Sequence, residues 1–262
     1  MELCALSSGS SGNCFFIGDG KENGILVDAG ISCKRIVERL GSIGKTADNI
    51  KAVFITHEHT DHIRGVDVFS RKFEIPVFAT DKTLKNRFIC SNKELINGID
   101  NDEIMKFGGM QVEAFSKMHL ASDPVSYVIS LNGKDGKNKR IGVITDLGNV
   151  CKNTSSQLRD LDFVFLESNH DIKMLEEGPY SWPTKKWIKS DIGHLSNTQA
   201  ALGVLEHSSP KLKNIVLSHI SENNNTNELA MKTFRGLLKE RRDINPHISL
   251  SVREFPTRLF SF

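Results

Sequence analysis

The feature that most constrains this chain is the stretch Thr-His-Glu-His-Thr-Asp-His at residues 56–62, which holds three of its nine histidines. It directly follows the apolar run 52–55, which predicts a buried strand. Such a strand delivers four ligand-type side chains to one sheet edge, where buried polar groups are costly unless paired or coordinated. Imidazole and carboxylate suit Zn²⁺ and Mn²⁺, and the turn can direct two of these side chains at each of two ions. The four are His57, His59, Asp61 and His62.

Three further ligand-type residues occupy equivalent positions later in the chain. His119, Asp146 and His219 each come after an apolar run that predicts a strand. Taken singly, the aspartate could be a turn residue and each histidine a capping or surface imidazole. Taken together, the three supply what the stretch 56–62 needs to complete two adjacent metal sites.

Short apolar runs alternate with turn-rich breaks and helix-like stretches along all 262 residues, of which 39% are hydrophobic, enough for a sizeable core. Two strand-rich halves, each carrying helices, predict an α+β fold in which two sheets pack face to face beneath outer helices, a four-layer αββα sandwich. We expect a single domain over residues 1–262, without an inserted second domain. Strands are predicted at 3–6, 14–17, 25–27, 52–55, 77–79, 112–115, 125–131, 141–145, 163–166, 215–217 and 248–252. Helices are predicted at 33–40, 61–73, 197–206 and 227–239, a polar hairpin connection at 132–139, and the least regular segment at 171–191.

Composition excludes some classes of protein and leaves others open. Five scattered cysteines, odd in number and without a Cys-x-x-Cys pair, signal neither a disulfide framework nor a thiolate zinc site. The formal net charge of +2 does not demonstrate a polyanionic partner, because nucleic-acid binding depends on clustered basic side chains. No segment approaches the roughly 20 uninterrupted apolar residues of a membrane helix. We expect a soluble, cytoplasmic protein without a membrane partner, and its oligomeric state stays open.

The order of these motifs resembles that of the metallo-β-lactamase superfamily over essentially the whole chain. The resemblance rests on the motif His-x-His-x-Asp-His, followed later in the chain by a histidine, an aspartate and a histidine. Asp28 matches the structural aspartate of the family. It implies two divalent ions, Zn²⁺ or Mn²⁺, with Fe or Ni as other possible bound metals. By the same resemblance, His57, His59 and His119 hold one ion, Asp61, His62 and His219 hold the other, and Asp146 bridges them.

Within that superfamily the chain resembles the bacterial YycJ/WalJ group of DNA exonucleases. Four stretches carry this likeness: residues 6–13 (LSSGSSGN), 167–171 (ESNHD), 193–197 (GHLSN) and 217–224 (LSHISENN). The resemblance implies a metal-dependent phosphodiesterase, a nuclease with 5′-to-3′ exonuclease action on double-stranded DNA. The chain departs from the group at Leu120, where an aspartate is expected; Leu120 can neither bind a metal nor accept a hydrogen bond.

Two ions about 3.5–4 Å apart can share a water and lower its pKa towards about 7, so a metal-bridging hydroxide is the predicted nucleophile. Asp146 and Asp61 would orient it. His194 is the candidate proton donor to the leaving oxygen, since it precedes a predicted helix whose N-terminus offers N–H groups to phosphate. The alternative is that His194 only packs in a turn and Asn197 only caps the helix. Predicted substrate-binding residues are Asn13, His170, His194, Ser196 and Asn197.

Other functions stay open from the sequence. An RNA-processing or small-molecule phosphodiesterase would use the same metal chemistry. A thiolester or lactam hydrolase of this fold tends to carry Gly-His-Thr in the third motif, which Met-His-Leu at 118–120 does not match. A binding module that keeps metal for structure alone would not need two ions. The lysines and tryptophans of residues 182–189 could bind nucleic acid or could form a solvated helix face.

Overall fold

The computed structural model of the chain describes residues 1–101, 103–132 and 138–261, without the side chain of Asn132. These residues form two compact units. The first comprises Met1–Ser116, Ala121–Asn138 and Val252–Phe262, and the second comprises Lys117–Leu120 and Lys139–Ser251. That residues 1–262 act as one domain without an insertion stays a prediction. Of the predicted hairpin connection 132–139, residues 133–137 lie outside the described residues.

The strands are β1 (Glu2–Ser7), β2 (Cys14–Gly18), β3 (Gly24–Val27), β4 (Ile50–Phe54), β5 (Val77–Thr80), β6 (Ile96–Ile99), β7 (Ile104–Phe107), β8 (Met110–Ser116), β9 (Val125–Asn132), β10 (Asn138–Ile144), β11 (Phe163–Glu167), β12 (Asn214–Ser218), β13 (His247–Leu250) and β14 (Phe260–Ser261). The helices are α1 (Cys33–Ser42), α2 (Thr60–Ile63), α3 (Val66–Phe73), α4 (Asp81–Asn86), α5 (Lys152–Leu158), α6 (Ile172–Glu177), α7 (Trp182–Ile188), α8 (Asn197–His207) and α9 (Asn227–Leu238). Within the described ranges, none of these helices has the length and apolar character to cross a bilayer.

The first unit contains a seven-stranded sheet in the order β14-β1-β2-β3-β4-β5-β6, antiparallel up to β3 and parallel from β3 to β6. It also contains the antiparallel meander β7-β8-β9. Aromatic contacts join the two: the Phe54 ring lies 5.4 Å from those of Phe107 and Tyr127, and the Tyr127 hydroxyl donates to the Ile55 carbonyl at 2.9 Å. The carboxyl ends of β3 and β4 therefore sit on a rigid, buried layer.

The second unit contains four parallel strands in the order β10-β11-β12-β13. Parallel strands need crossover connections, and helices supply them here. All five residues of β11 are buried, which explains its uninterrupted Phe-Val-Phe-Leu run. Because the carboxyl ends of parallel strands meet at one sheet edge, the residues at or just beyond the ends of β10, β11 and β12 come together. They are Asp146, Glu167 and His219.

All the predicted strands and three of the predicted helices are present, with ends shifted by a few residues. The single helix predicted over 61–73 is wrong, because it divides into α2 and α3 at Gly65. The Gly65 amide donates to the Ala29 carbonyl at 2.8 Å, so helical hydrogen bonding is interrupted there, and a Cβ at Gly65 would lie 2.0 Å from the Ile31 carbonyl oxygen. The segment 171–191, predicted as the least regular, contains α6 and α7. Both are single short helices, whose hydrophobic periodicity is too brief to register in the sequence.

Candidate metal centre

The first unit gathers three imidazoles where β4 ends. Nδ1 of His57 lies 2.9 Å from Oγ1 of Thr56, and its Nε2 lies 3.0 Å from Nδ1 of His59. The His57 and His62 rings have centroids 4.1 Å apart. His57 and His62 are fully buried. Nε2 of His57 and Nδ1 of His59, 3.0 Å apart, could bind the same cation, because each neutral imidazole keeps one nitrogen lone pair.

Asp28 fixes the orientation of His62 from the end of β3. Its Oδ2 lies 2.7 Å from Nδ1 of His62, and its Oδ1 accepts from the Thr56 amide at 2.8 Å. Neither Asp28 nor His62 is exposed to solvent. With Nδ1 directed at a carboxylate, His62 presents Nε2 as the atom that can bind a metal. These contacts give Asp28 a supporting position beside His62, and its match to the structural aspartate of the family stays a prediction.

The loop before β2 supports Asp61 from the other side. Oδ1 of Asn13 accepts from the Gly9 amide at 3.0 Å, and its Nδ2 lies 3.4 Å from Oδ2 of Asp61. The Asn13 amide also donates to the Asp61 carbonyl at 2.7 Å. Asn13 is completely buried. In this structure it holds the metal-site loop, and direct contact with substrate stays a prediction.

The second unit brings together Asp146, Glu167, His194 and His219, each offering one ligand atom within 4.8 Å of the others. Oε1 of Glu167 lies 2.8 Å from Nδ1 of His194 and 2.9 Å from Nδ1 of His219. Its Oε2 accepts from the amides of Leu147 and Leu195 at 2.7 and 3.1 Å. All four contacts converge on a carboxylate that solvent does not reach.

The charge state of Glu167 follows from these contacts. Burial alone would raise its pKa, but the charge of His194 and the hydrogen bonds from His194 and His219 outweigh burial and lower it to about 2. Glu167 is therefore an anion that fixes two imidazoles. Its contacts are with two imidazoles and two backbone amides, so Glu167 supports the neighbouring histidines.

His119 is also held through Nδ1, in this case by a backbone carbonyl. Its Nδ1 lies 3.1 Å from the Gly193 carbonyl oxygen. Burial lowers the pKa of His119 to about 3 against the opposing charge of Asp146, so the imidazole is neutral. A neutral ring with Nδ1–H held by a carbonyl presents the Nε2 lone pair, which is the form that binds a metal. The Leu120 amide donates to the Ile192 carbonyl at 2.9 Å, and its side chain is half exposed.

Backbone strain marks the same positions. Among the described residues, Asp28, Asp146 and His219 have φ between 54° and 60°, and the one other non-glycine residue with positive φ is Glu74 at the end of α3. Such conformations cost of order 1–3 kcal/mol and persist where the surroundings require them. Buried imidazoles with fixed tautomers and buried carboxylates fit divalent ions in their donor chemistry. The four residues of the second unit form a cluster that could hold a divalent metal, and the first unit contributes buried imidazoles of the same donor chemistry.

Three of the predicted substrate-binding residues in the second unit, His170, Ser196 and Asn197, are buried. The Ser196 hydroxyl caps α8 by accepting from the Gln199 amide, and Asn197 hydrogen-bonds with Ser168 and Asn225. His170 forms a bridge with Ser196, and burial lowers its pKa to about 4. These side chains hold the loops beside the cluster in this structure. Direct contact between them and a substrate stays a prediction.

His194 lies among the predicted ligands but keeps some solvent access, with 11% of its side chain exposed. Its ring centroid lies 5.1 Å from that of His119 and 5.2 Å from that of His219. The Trp187 ring packs perpendicular to it at 5.5 Å. The sequence does not indicate that Trp187 packs on this histidine or that Glu167 contacts two imidazoles. For Glu167, the one available signal is its position at the end of an apolar strand.

The sequence profile of the β-lactamase superfamily domain matches residues 23–220. The chain belongs to the metallo-β-lactamase superfamily. Exodeoxyribonuclease YycJ of Bacillus anthracis is 33% identical to it over 249 residues, which cover 92% of this chain and 90% of that protein. Exodeoxyribonuclease WalJ of Streptococcus pneumoniae serotype 2 is 35% identical over 237 residues, covering 87% and 85%. As a member of this superfamily, the protein is a metal-dependent hydrolase.

Solved structures confirm the predicted metallo-β-lactamase fold and its α+β class. Zn²⁺-bound PqqB from Methylobacterium extorquens superposes with a TM-score of 0.71 at 14% identity, covering 98% of this chain and 99% of that one. YhfI from Bacillus subtilis gives the same TM-score and identity, covering 98% of each chain. At this identity the likeness concerns the fold alone.

Proposed function

We propose that this superfamily member is a two-metal phosphodiesterase that acts as a nuclease on DNA. The observation that carries the proposal is the second-unit cluster, where an anionic carboxylate, Glu167, fixes His194 beside the predicted ligands Asp146 and His219. A fixed imidazole with some solvent access is the group needed to protonate a poor leaving oxygen. The names of the relatives YycJ and WalJ, both exodeoxyribonucleases, support DNA as the substrate.

In this proposal the predicted ligands would hold a pair of divalent ions. His57 and His59 with His119 would hold one ion, and Asp61 and His62 with His219 would hold the other. Asp146 would be a ligand to both. The tautomers support this assignment, because His62, His119 and His219 each direct Nδ1 at an oxygen and present Nε2. Superfamily membership supports it too.

The roles of the protein groups follow from their contacts. When bound, divalent ions supply Lewis acidity and neutralise charge on the phosphate. Asp61, whose side chain is 22% exposed, can accept a proton from the attacking water. His194 keeps Nδ1 on Glu167 and offers Nε2 as the proton donor to the leaving oxygen. Glu167 fixes the orientation of the ring through Nδ1, so that Nε2 is the atom left for the substrate.

A panel of substrates tests the proposal. Purified protein with Mn²⁺ or Zn²⁺ is given end-labelled duplex DNA, single-stranded DNA, RNA, bis(p-nitrophenyl) phosphate and a thiolester. We expect stepwise shortening of DNA from its 5′ end and no thiolester hydrolysis. His207→Ala, a change at the end of α8 that involves none of the predicted ligands, serves as the control variant. Absence of cleavage of every phosphodiester with either metal would overturn the proposal.

A further inference from the structure

We propose that a groove along α7 binds a single strand of nucleic acid and leads it to His194, an inference that rests on the proposed nuclease function. The groove has a volume of about 580 Å³. We call it the α7 groove. Its lining residues are Glu176, Trp182, Lys185, Lys186, Lys189 and Ser190.

Helical spacing places the basic and aromatic residues together. One face of the helix carries positions i, i+3, i+4 and i+7, which are occupied here by Trp182, Lys185, Lys186 and Lys189. The Trp182 side chain is 71% exposed, and Nζ of Lys186 lies 5.2 Å from the centre of its ring. A large indole held in solvent with an ammonium over it is a platform for another flat ring.

The groove has an excess of positive charge. Three lysines face one carboxylate, that of Glu176, whose Oε1 lies 3.4 Å from Nζ of Lys189. Nζ of Lys185 donates to the backbone carbonyl of Glu176 at 2.7 Å, which leaves its charge uncompensated by a carboxylate. The whole chain carries a formal net charge of only +2, so the three lysines of this groove form a local excess of positive charge. Ammonium groups attract phosphates, and an indole stacks on a base. An unpaired strand offers both, whereas a duplex hides its bases.

The same helix contacts the predicted proton donor. The His194 amide donates to the Ile188 carbonyl at 2.9 Å, and the Trp187 ring packs perpendicular to the His194 ring. The helix α7 therefore both lines the groove and contacts His194. For this reason we expect a strand bound in the groove to continue towards the residue proposed to protonate the leaving oxygen.

A second basic cavity of the same unit provides the contrast. It is lined by Arg235, Lys239, Arg241 and Arg242 together with apolar and polar residues, and no Phe, Tyr or Trp lines it. Arg241 is already bound to Asp243 and to the backbone carbonyls of Leu205 and Ser208. This cavity offers charge without a stacking platform, and it supplies a matched control.

Binding is measured by fluorescence anisotropy with a labelled phosphorothioate oligodeoxynucleotide, which resists cleavage, on the full chain with metal present. We expect Trp182→Ala to weaken binding by about tenfold or more, the effect of losing one stacked base. Lys186→Glu with Lys189→Glu should weaken binding and reduce its dependence on salt. Arg235→Glu with Lys239→Glu changes the total charge equally and should bind as the wild type does. Unchanged binding by Trp182→Ala, or equal weakening by the control pair, would overturn the α7 groove.

Hydrolysis of bis(p-nitrophenyl) phosphate by the wild type tests the proposed function separately, because this small ester carries no strand. If the wild type hydrolyses this ester, yet Trp182→Ala binds the oligonucleotide as the wild type does, the groove proposal is overturned and the proposed function is not. A protein that binds through Trp182 but hydrolyses no phosphodiester supports the groove and overturns the proposed function.

Discussion

Glu167 holds His219 through a hydrogen bond of 2.9 Å between Oε1 and Nδ1, across the carboxyl ends of the neighbouring parallel strands β11 and β12. The same oxygen lies 2.8 Å from Nδ1 of His194. Both imidazoles therefore present Nε2 away from the carboxylate. One buried anion fixes the ring nitrogen of a proposed metal ligand and that of the proposed proton donor, so the two functions are coupled through a single side chain.

Glu167→Gln should weaken metal binding while the protein stays folded. A glutamine keeps the shape but loses the negative charge and directs an N–H group where an acceptor is needed. We expect metal affinity to fall about 10- to 100-fold and the free energy of unfolding to fall by about 1–3 kcal/mol. Isothermal titration with Zn²⁺ and chemical denaturation measure the two quantities. Glu206→Gln on the exposed side of α8 is the control, and unchanged metal affinity in Glu167→Gln would contradict the prediction.

His194→Ala should lose activity while keeping metal. Loss of a general acid lowers kcat about 10²- to 10⁴-fold. The loss should be smaller for bis(p-nitrophenyl) phosphate than for DNA, because p-nitrophenolate leaves without a proton. Steady-state kinetics on both substrates, with metal content measured by mass spectrometry, check this. An equal loss on both substrates, or loss of metal, would assign His194 to metal binding instead.

The positions of the predicted metal ligands relative to strands could be predicted from the sequence. Asp146 and His219 come just after the parallel strands β10 and β12, which bring such positions to one sheet edge. His119 instead follows β8, which pairs antiparallel with β9. The same reasoning could not place Asn197, because its burial depends on Ser168 and Asn225, which are distant in sequence. Nor could it show that Trp187 packs on His194, since that contact depends on how the short helix α7 ends. Side chains that support ligands are set by three-dimensional contacts that periodicity does not encode.

Asp61→Ala should reduce metal stoichiometry without unfolding the protein. Its side chain is partly exposed, and it is one of the ligands proposed for the second ion, with His62, His219 and the shared Asp146. We expect bound metal to fall from about two ions per chain towards one, in line with the two-ion proposal, and cleavage of DNA to be lost. Mass spectrometry and thermal unfolding check both points. Asp48→Ala, which involves none of the predicted ligands, should retain the wild-type metal content, and a full metal complement in Asp61→Ala would contradict the assignment.

Removal of metal should destabilise the protein by mass action. Ions that bind only the folded state stabilise it by about 2.7 kcal/mol at 100 times the dissociation constant. We therefore expect the Tm to fall after EDTA treatment and dialysis, and to return when Zn²⁺ or Mn²⁺ is added. Ca²⁺ prefers oxygen ligands over imidazole and should restore little. The same Tm in the presence and absence of metal would show that the clusters do not bind ions in the folded protein.

Gly30→Ala should disturb the site without altering any predicted ligand. A Cβ at Gly30 would lie 1.7 Å from the Asp61 carbonyl oxygen and 2.8 Å from the Asn13 amide nitrogen, so the backbone that carries Asp61 must move. We expect a loss of about 1–3 kcal/mol in the free energy of unfolding, together with lower metal content and activity. Gly41→Ala, in α1, meets nothing within 4 Å and should instead stabilise the protein by up to about 1 kcal/mol. If Gly30→Ala matches Gly41→Ala in stability and metal content, the close approach of these two loops does not govern the geometry of Asp61.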